Sequence, residues 1–334
     1  MKRLSFAAAI AATLLASTAG AEVITVANPS FEEPALADGI FTIAAPPGWI
    51  LTGGANAGVW NPAAGQNGVT SDFLAGTVGH QIAYSNGPNI RQDLSIDVGY
   101  GYLYTLTVKV GGRDGAFSDE PFGVLLRATT ADPNDGGALV SLKGVFGRNL
   151  AGGWEEQTVE FEAIDPAVAD QQLIVVLVNN GTRDEDPATN GSQINFDDVR
   201  LSRAKLASCE GFFSPFAEPL SLSAKNKRAI PVKMRLYDYA GNELTDADFA
   251  YPPVANVSFM TGNNGAGAES DAALTVQSDD SNAFRYDTNE GQWILNLAAK
   301  QYSAAGTYTV SVVSGDSGFA ISSLGSCSQD FVRR

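Results

Sequence analysis

Short runs of alternating apolar and polar residues recur along the chain, separated by clusters of Gly, Asn, Asp and Pro. In residues 102–110 the alternation places Tyr104, Leu106, Val108 and Val110 on one face. A period of two residues is typical of a β-strand with one buried face, because successive side chains point to opposite sides of a sheet. The pattern therefore predicts an all-β chain of many short strands.

The strand pattern divides into two sets, which predicts two domains at residues 22–204 and 205–334. About eight strands in the first set indicate a sandwich of two sheets, a jelly roll. The second set has a spacing near ten residues, which is typical of an immunoglobulin-like β-sandwich. Residues 202–208 are predicted to be a linker, and residues 260–281, rich in Gly, Asn, Asp and Ser, a long exposed loop.

Residues 1–21 have the features of a cleavable signal peptide. Lys2 and Arg3 precede a run of small apolar residues, and Ala19 and Ala21 fit the cleavage rule, so we expect a mature chain beginning at Glu22. The run is too short to span a bilayer, and no later stretch approaches the roughly 20 apolar residues of a membrane helix. We therefore expect a secreted protein, extracellular or periplasmic, without a transmembrane segment.

The chain is strongly acidic, with a formal net charge of −16 at pH 7. An acidic surface repels phosphate backbones, so we expect no nucleic-acid partner and favour divalent cations or neutral ligands instead. The alternative is that the acidity serves only solubility.

Few side chains of this sequence are suited to acid–base or nucleophilic catalysis. There is one histidine, His80, and there are two cysteines. The nucleophile elbow, the zinc-binding histidine pair and the phosphate-binding glycine loop are all missing from the sequence. We predict no catalytic residue from these patterns alone.

Cys209 and Cys327 lie near the two ends of the second domain. In an oxidising compartment this placement predicts one disulfide bond that closes the whole domain. Two free thiols, or less readily a metal site, are the alternatives.

Carboxylates lie at both ends of the first domain, with Glu32 near its start and Asp197 and Asp198 near its end. The first and last strands of a jelly roll are neighbours, so these acids could converge. Calcium binds six to eight hard oxygens, which carboxylates and loop carbonyls supply. The alternative is that Glu32 and Asp197 cap turns or pair with arginine.

A family resemblance is carried by three segments of the first domain, NPSFE at 28–32, GW at 48–49 and FDDVRL at 196–201. They resemble secreted carbohydrate-binding-module jelly rolls of the galactose-binding-like superfamily, across most of residues 22–204. The resemblance implies a structural calcium held by Glu32 and Asp197, with Asp198 as the alternative ligand.

Aromatic residues of the first domain are candidates for ligand binding. We predict a site at Trp60, Tyr84, Asn86 and Arg91, in which a sugar ring stacks on the aromatic faces and the polar side chains form the rim. The ligand would be a polysaccharide or a cell-surface glycan. The alternative is that the tryptophans, Trp49 above all, belong to the core.

A narrower resemblance is carried by GVWNP at 58–62, QIAYSNG at 81–87 and YTLTVKVGGR at 104–113. These segments are similar to the calcium-dependent Stig cyclases and their secreted relatives. The cyclases protonate an indole-isonitrile terpenoid with a buried acid, assisted by a tyrosine. The resemblance implies Asp197 and Tyr84 for these roles.

The second domain resembles the PxKF domain of bacterial surface and secreted proteins, on CEGFFSP at 209–215, AIPVKMRL at 229–236, FRYD at 284–287 and GTYTV at 306–310. Met234 stands where that family has Phe. The resemblance implies an accessory immunoglobulin-like module.

The sequence thus favours a secreted binding or surface-associated protein with a calcium-stabilised jelly roll that binds carbohydrate. Two alternatives remain open. One is an acid-catalysing, cyclase-like enzyme on the same jelly roll, and the other is a structural component of an extracellular matrix.

Overall fold

The computed structural model describes residues 20–54, 56–115, 119–129, 139–180, 193–223, 229–260, 272–274, 282–298, 302, 304–324 and 327–334. Residues 1–19 of the predicted signal peptide lie outside the described residues. The loop predicted at 260–281 also lies outside them, apart from residue 260 and a short strand at 272–274.

Strands make up nearly all of the described regular structure, which confirms the all-β prediction. The strands of the first half are β1 (Glu22–Ile24), β2 (Phe41–Thr42), β3 (Ile50–Thr52), β4 (Ala57–Trp60), β5 (Ile82–Ser85), β6 (Asn89–Asp97), β7 (Tyr102–Gly112), β8 (Pro121–Thr129), β9 (Val140–Arg148), β10 (Gly153–Ala163) and β11 (Gln172–Asn179). The later strands are β12 (Ile194–Phe212), β13 (Leu220–Leu222), β14 (Ala229–Asp238), β15 (Val254–Met260), β16 (Ala272–Leu274), β17 (Arg285–Asp287), β18 (Gln292–Ala298), β19 (Gly306–Val313), β20 (Phe319–Ile321) and β21 (Ser328–Arg333).

Helical structure is sparse in the described residues, with one α-helix, α1 (Ser71–Gly76), and one 3-10 turn at Pro166–Val168. Thr70 caps α1, because its hydroxyl accepts a hydrogen bond from the Phe73 amide at 3.0 Å. No described helix has the length and apolar character of a membrane span.

The first sandwich packs a five-stranded sheet, in the order β3-β6-β11-β8-β9, against strands of a larger sheet. In the larger sheet, β12 pairs antiparallel with β7, β5 and β1, so the first and last strands of the domain are neighbours, as the jelly-roll prediction requires. The core lies between the two sheets. It includes the face predicted from residues 102–110, whose side chains Tyr104, Leu106, Val108 and Val110 are all buried.

The strand β12 runs through both sandwiches as one element of 19 residues. Its first half pairs with β5 and β7 and its second half with β14 and β20. The prediction of a linker at 202–208 is therefore wrong, because the backbone there is hydrogen-bonded within a sheet. Glu162 of the first sandwich also accepts hydrogen bonds from the Ser322 hydroxyl and the Ser323 amide of the second, both at 2.7 Å.

The second sandwich packs the sheet β13-β21-β19-β15-β16 against β17-β18-β14 and the end of β12. Cys209 on β12 and Cys327, just before β21, form a disulfide bond with their Cα atoms 5.5 Å apart, which confirms the prediction. The bond joins the two sheets of the sandwich across its core.

Candidate functional site

A pocket of about 370 Å³ opens where β2, β4 and β5 end the larger sheet. Its lining consists of three aromatic rings, five carboxamides and one guanidinium. The lining residues are Phe41, Asn56, Trp60, Gln66, Asn67, Tyr84, Asn86, Arg113 and Gln193.

The accessible ring of this pocket is Phe41, on the edge strand β2. Phe41 is 62% exposed, whereas Trp60 and Tyr84 are only 5% and 4% exposed. The Phe41 and Tyr84 rings meet edge to face at 6.0 Å, and the Tyr84 hydroxyl donates to the Thr42 carbonyl at 3.2 Å. These contacts hold the edge strand, and with it Phe41, at the mouth of the pocket.

Gly58 on β4 allows this edge strand to approach so closely. A Cβ atom at this position would lie 1.9 Å from the carbonyl oxygen of Thr42, which belongs to backbone that cannot move aside cheaply. A side chain on Gly58 would therefore displace β2. The glycine is a structural requirement of the pocket.

Trp60 forms the supporting wall of the pocket. Its ring packs against Phe73 of α1 at 6.1 Å between centroids, and Phe73 packs against Trp154 at 5.2 Å. The guanidinium of Arg113 lies 5.1 Å from the Trp60 ring centroid. Trp60 is therefore largely covered by protein groups rather than open for stacking.

Arg113 follows the last residue of β7 and is held in one orientation. Its guanidinium donates to the Asn67 carbonyl at 3.1 Å and to Gln193 Oε1 at 2.5 Å. Gln193 is fixed in turn, because its Nε2 donates to Oδ1 of the buried Asn195 at 2.9 Å. Burial lowers the pKa of Arg113 to about 10, so this side chain is still protonated at neutral pH.

Three of the four residues predicted to bind a ligand line this one pocket, namely Trp60, Tyr84 and Asn86. Arg91 does not. It lies on β6 in the opposite sheet, where its Nε is 2.9 Å from the carboxylate of Asp93. The structure brings in Phe41, Asn56, Gln66, Asn67, Arg113 and Gln193, which the sequence did not single out as ligand residues.

Trp49 belongs to the core of the first sandwich. Its ring lies 5.2 Å from that of Phe31, and its indole nitrogen donates to the Ala27 carbonyl at 2.9 Å. The structure therefore shows the alternative in which Trp49 belongs to the core.

The acids Glu32 and Asp197 converge on one segment, residues 77–81 between α1 and β5. Asp197 Oδ2 accepts a hydrogen bond from the Val78 amide at 2.6 Å. Glu32 Oε1 accepts two, from the amides of His80 and Gln81, each at 2.8 Å. The two ends of the first domain are therefore joined through this segment.

Asp197 is fully buried. Desolvation raises the pKa of its carboxyl group to about 7, although the hydrogen bonds from the Val78 and Asp198 amides and the charge of Lys109 act in the opposite direction. Both carboxylate oxygens accept a backbone hydrogen bond, the second from Asp198 at 2.7 Å. Asp197 is not among the pocket-lining residues.

The neighbouring Asp198 has a positive φ of 50° and lies at a bulge of β12. Its Oδ2 is 3.3 Å from the guanidinium of Arg200. Among the described residues, no group of three or more His, Cys, Asp and Glu side chains is placed to hold a metal ion.

Comparison with protein families gives a match over the first domain. A family model described as HpiC1-like, HpiC1 cyclase, matches residues 22–202. No curated protein matches the chain.

Comparison with solved structures gives remote similarities. The CBM22-1 xylan-binding domain of Paenibacillus barcinonensis Xyn10C is 13% identical and aligns over 56% of this chain and 97% of its own, with a TM-score of 0.35. The tandem CBM22-1-CBM22-2 domain of the same protein is 12% identical over 75% of this chain and 73% of its own, with a TM-score of 0.37. The Clostridium thermocellum Xyn10B CBM22-1-GH10 modules are 15% identical over 49% of this chain, with a TM-score of 0.31, and the chain spans only 28% of their length.

Proposed function

The chain belongs to the HpiC1-like family over residues 22–202, and on this scaffold we propose that it is a binding protein whose pocket takes a saccharide. The lining of the pocket is the observation that supports the proposal. A sugar ring offers an apolar CH face to an aromatic ring, and its hydroxyl groups exchange hydrogen bonds with carboxamides. The described lining residues include both groups. They also include Tyr84, the tyrosine that the cyclase resemblance implies, but no carboxylate, histidine, serine or cysteine.

Phe41→Ala is expected to weaken saccharide binding by on the order of 1–3 kcal/mol, because an aromatic anchor contributes that much at a binding site. The fold should be retained, since the Phe41 side chain is largely exposed. A glycan array in calcium-containing buffer identifies the ligand, and isothermal titration calorimetry then compares the variant with the parent protein.

Phe146→Ala is the matched control for this experiment. Phe146 lies on β9 of the other sheet and is also 62% exposed. Its replacement should leave the affinity unchanged. If Phe41→Ala binds as tightly as the parent, the stacking role assigned to this ring is wrong. A silent array would remove the saccharide proposal and favour the structural alternative.

A second candidate function is acid-catalysed cyclisation, since the matching family model is described as a cyclase. The observation in its favour is Asp197, a buried carboxyl group with a pKa near 7, which would be partly protonated at neutral pH. Against it, both oxygens of Asp197 are hydrogen-bonded to backbone amides and the residue does not line the pocket.

Acid catalysis predicts turnover of the cyclase substrate class. Incubation of the purified protein with an indole-isonitrile terpenoid, followed by liquid chromatography and mass spectrometry, should show a cyclised isomer that Asp197→Asn no longer forms. That result is expected only if the protein is an acid catalyst. Because we propose a binding protein, we expect no cyclised product from the parent protein. A product that disappears in Asp197→Asn, while the variant keeps the parent's circular dichroism, would replace the binding proposal by the enzymatic one.

We also propose that one calcium ion binds between the two ends of the first domain, near Glu32 and Asp197. The convergence of both acids on residues 77–81 supports this. Carboxylate and carbonyl oxygens are the ligands that calcium prefers. Because the described residues place only two carboxylates there, backbone carbonyls would have to supply most of the remaining ligands.

We propose further that the protein acts outside the cytoplasm, after removal of residues 1–21. The disulfide bond between Cys209 and Cys327 supports this, since such bonds persist in oxidising compartments.

A further inference from the structure

We propose that the pocket selects an acidic saccharide, in which the sugar ring carries a carboxylate group. This inference rests on the proposed saccharide function and narrows its ligand class to uronates. The argument comes from the charge, the orientation and the neighbours of Arg113.

Arg113 is the single charged residue among the described residues that line the pocket. The chain as a whole carries a net charge of −16, so the pocket places a cation on an otherwise acidic molecule. A neutral saccharide would be served by the asparagine carboxamides alone. A positive charge at the pocket wall attracts a negatively charged ligand more strongly than a neutral one.

The guanidinium is also oriented before any ligand arrives. Asn67 and Gln193 each accept one of its hydrogen bonds, and the Trp60 ring lies beside it. The planar guanidinium fork matches a carboxylate in a two-point hydrogen-bonded contact, which an ammonium group cannot reproduce. A fixed guanidinium loses little conformational entropy when such a contact forms.

The remaining lining completes the recognition of a sugar acid. Phe41 offers an exposed ring to the apolar face of the sugar, and Asn56 and Asn86, joined by a 3.1 Å hydrogen bond, offer amide groups to its hydroxyls. A volume of about 370 Å³ lies within the range of roughly 300–1,000 Å³ that is usual for small-molecule sites. Ring, hydroxyls and carboxylate each meet a complementary group in one pocket.

The test compares each acidic saccharide with its neutral methyl ester. Trigalacturonate and triglucuronate, and the fully methyl-esterified form of each, are titrated into the mature chain by calorimetry at about 50 and 300 mM NaCl. We expect at least one free acid to bind about tenfold or more tightly than its ester at low salt. The preference should shrink at high salt, because screening weakens interactions between partly exposed charges.

Arg113→Gln should reduce the affinity for the acid to that for the ester, whereas Arg113→Lys should keep the salt dependence but bind less tightly than the parent. The matched control is Arg285→Gln, an exposed arginine of the second sandwich, which should bind like the parent. If Arg113→Gln fails to fold, the acid–ester comparison on the parent protein and Arg113→Lys still decide the question.

The outcomes separate this inference from the proposed function. Equal binding of acid and ester, or array signals from neutral glycans alone, would overturn the acidic preference. If Phe41→Ala loses binding in the same experiments, the saccharide function still stands. A preference for the acid that survives in Arg113→Gln would overturn the role of Arg113. Binding of no saccharide at all would overturn both proposals.

Discussion

Replacing both disulfide cysteines, by Cys209→Ala with Cys327→Ala, is expected to lower the free energy of unfolding by about 4–5 kcal/mol. The bond closes a loop whose ends are 118 residues apart. In the chain-entropy model, opening so long a loop restores a large conformational freedom to the unfolded chain. Urea unfolding followed by tryptophan fluorescence measures the change, since Trp293 is buried in the same sandwich.

A reducing agent provides the control for this experiment. It should bring the parent protein to the stability of the double variant and leave the double variant unaffected. If the parent and the variant unfold at the same urea concentration, the disulfide bond does not raise the free energy of unfolding, and this prediction is wrong.

Lowering the pH from 8 to about 5.5 in metal-free buffer is expected to stabilise the parent protein relative to Asp197→Asn. A carboxyl group whose pKa is raised to about 7 in the folded state binds its proton more tightly there than in the unfolded chain. Its contribution to stability is therefore complete below the unfolded pKa and is lost as the pH rises through 7. The free energy of unfolding should differ by on the order of 4 kcal/mol between the fully protonated and the fully ionised carboxyl group. Part of this difference should appear between pH 8 and 5.5.

Melting temperatures of both proteins across this pH range give the comparison. Glu155→Gln, at an exposed position on β10, is the matched control and should follow the parent. If the parent and Asp197→Asn change in parallel with pH, Asp197 is not the titrating group that we describe.

Calcium should change the sign of this pH dependence if it binds where we propose, because a metal ligand must be ionised. With calcium present, the parent should gain stability as the pH rises, whereas Glu32→Gln and Asp197→Asn should not. The same pH dependence with calcium and with chelator would remove the calcium proposal and leave the two acids as backbone acceptors for residues 77–81.

Local patterns were sufficient to predict several of the strands. Alternation in residues 102–110 identified β7 and its buried face. The linker prediction failed at 202–208 because a polar stretch can still be a strand when both of its edges find partners. Those partners, β7 and β20, come from distant parts of the chain, so no local signal reports them.

The pocket could be predicted only in part, for a similar reason. Trp60, Tyr84 and Asn86 lie on or beside two strands that pair directly, β4 and β5, so their proximity follows from neighbouring segments. Phe41 and Gln193 come from segments that only the complete sheet brings together. The sequence alone does not distinguish Arg91 from Arg113 as a ligand residue. The two arginines belong to different sheets, so that Arg91 pairs with Asp93 and Arg113 lines the pocket.

The continuous strand β12 has a mechanical consequence for the whole molecule. Nineteen residues of extended chain span about 60 Å, with Gln193 of the pocket just before one end and Cys209 near the other. A tensile load on the second sandwich would pass to the pocket along hydrogen-bonded backbone, which is interrupted by the bulges between Asp197 and Arg200 and between Cys209 and Phe212. If the second sandwich is the part fixed to a surface, this shared strand ties the position of the pocket to that surface.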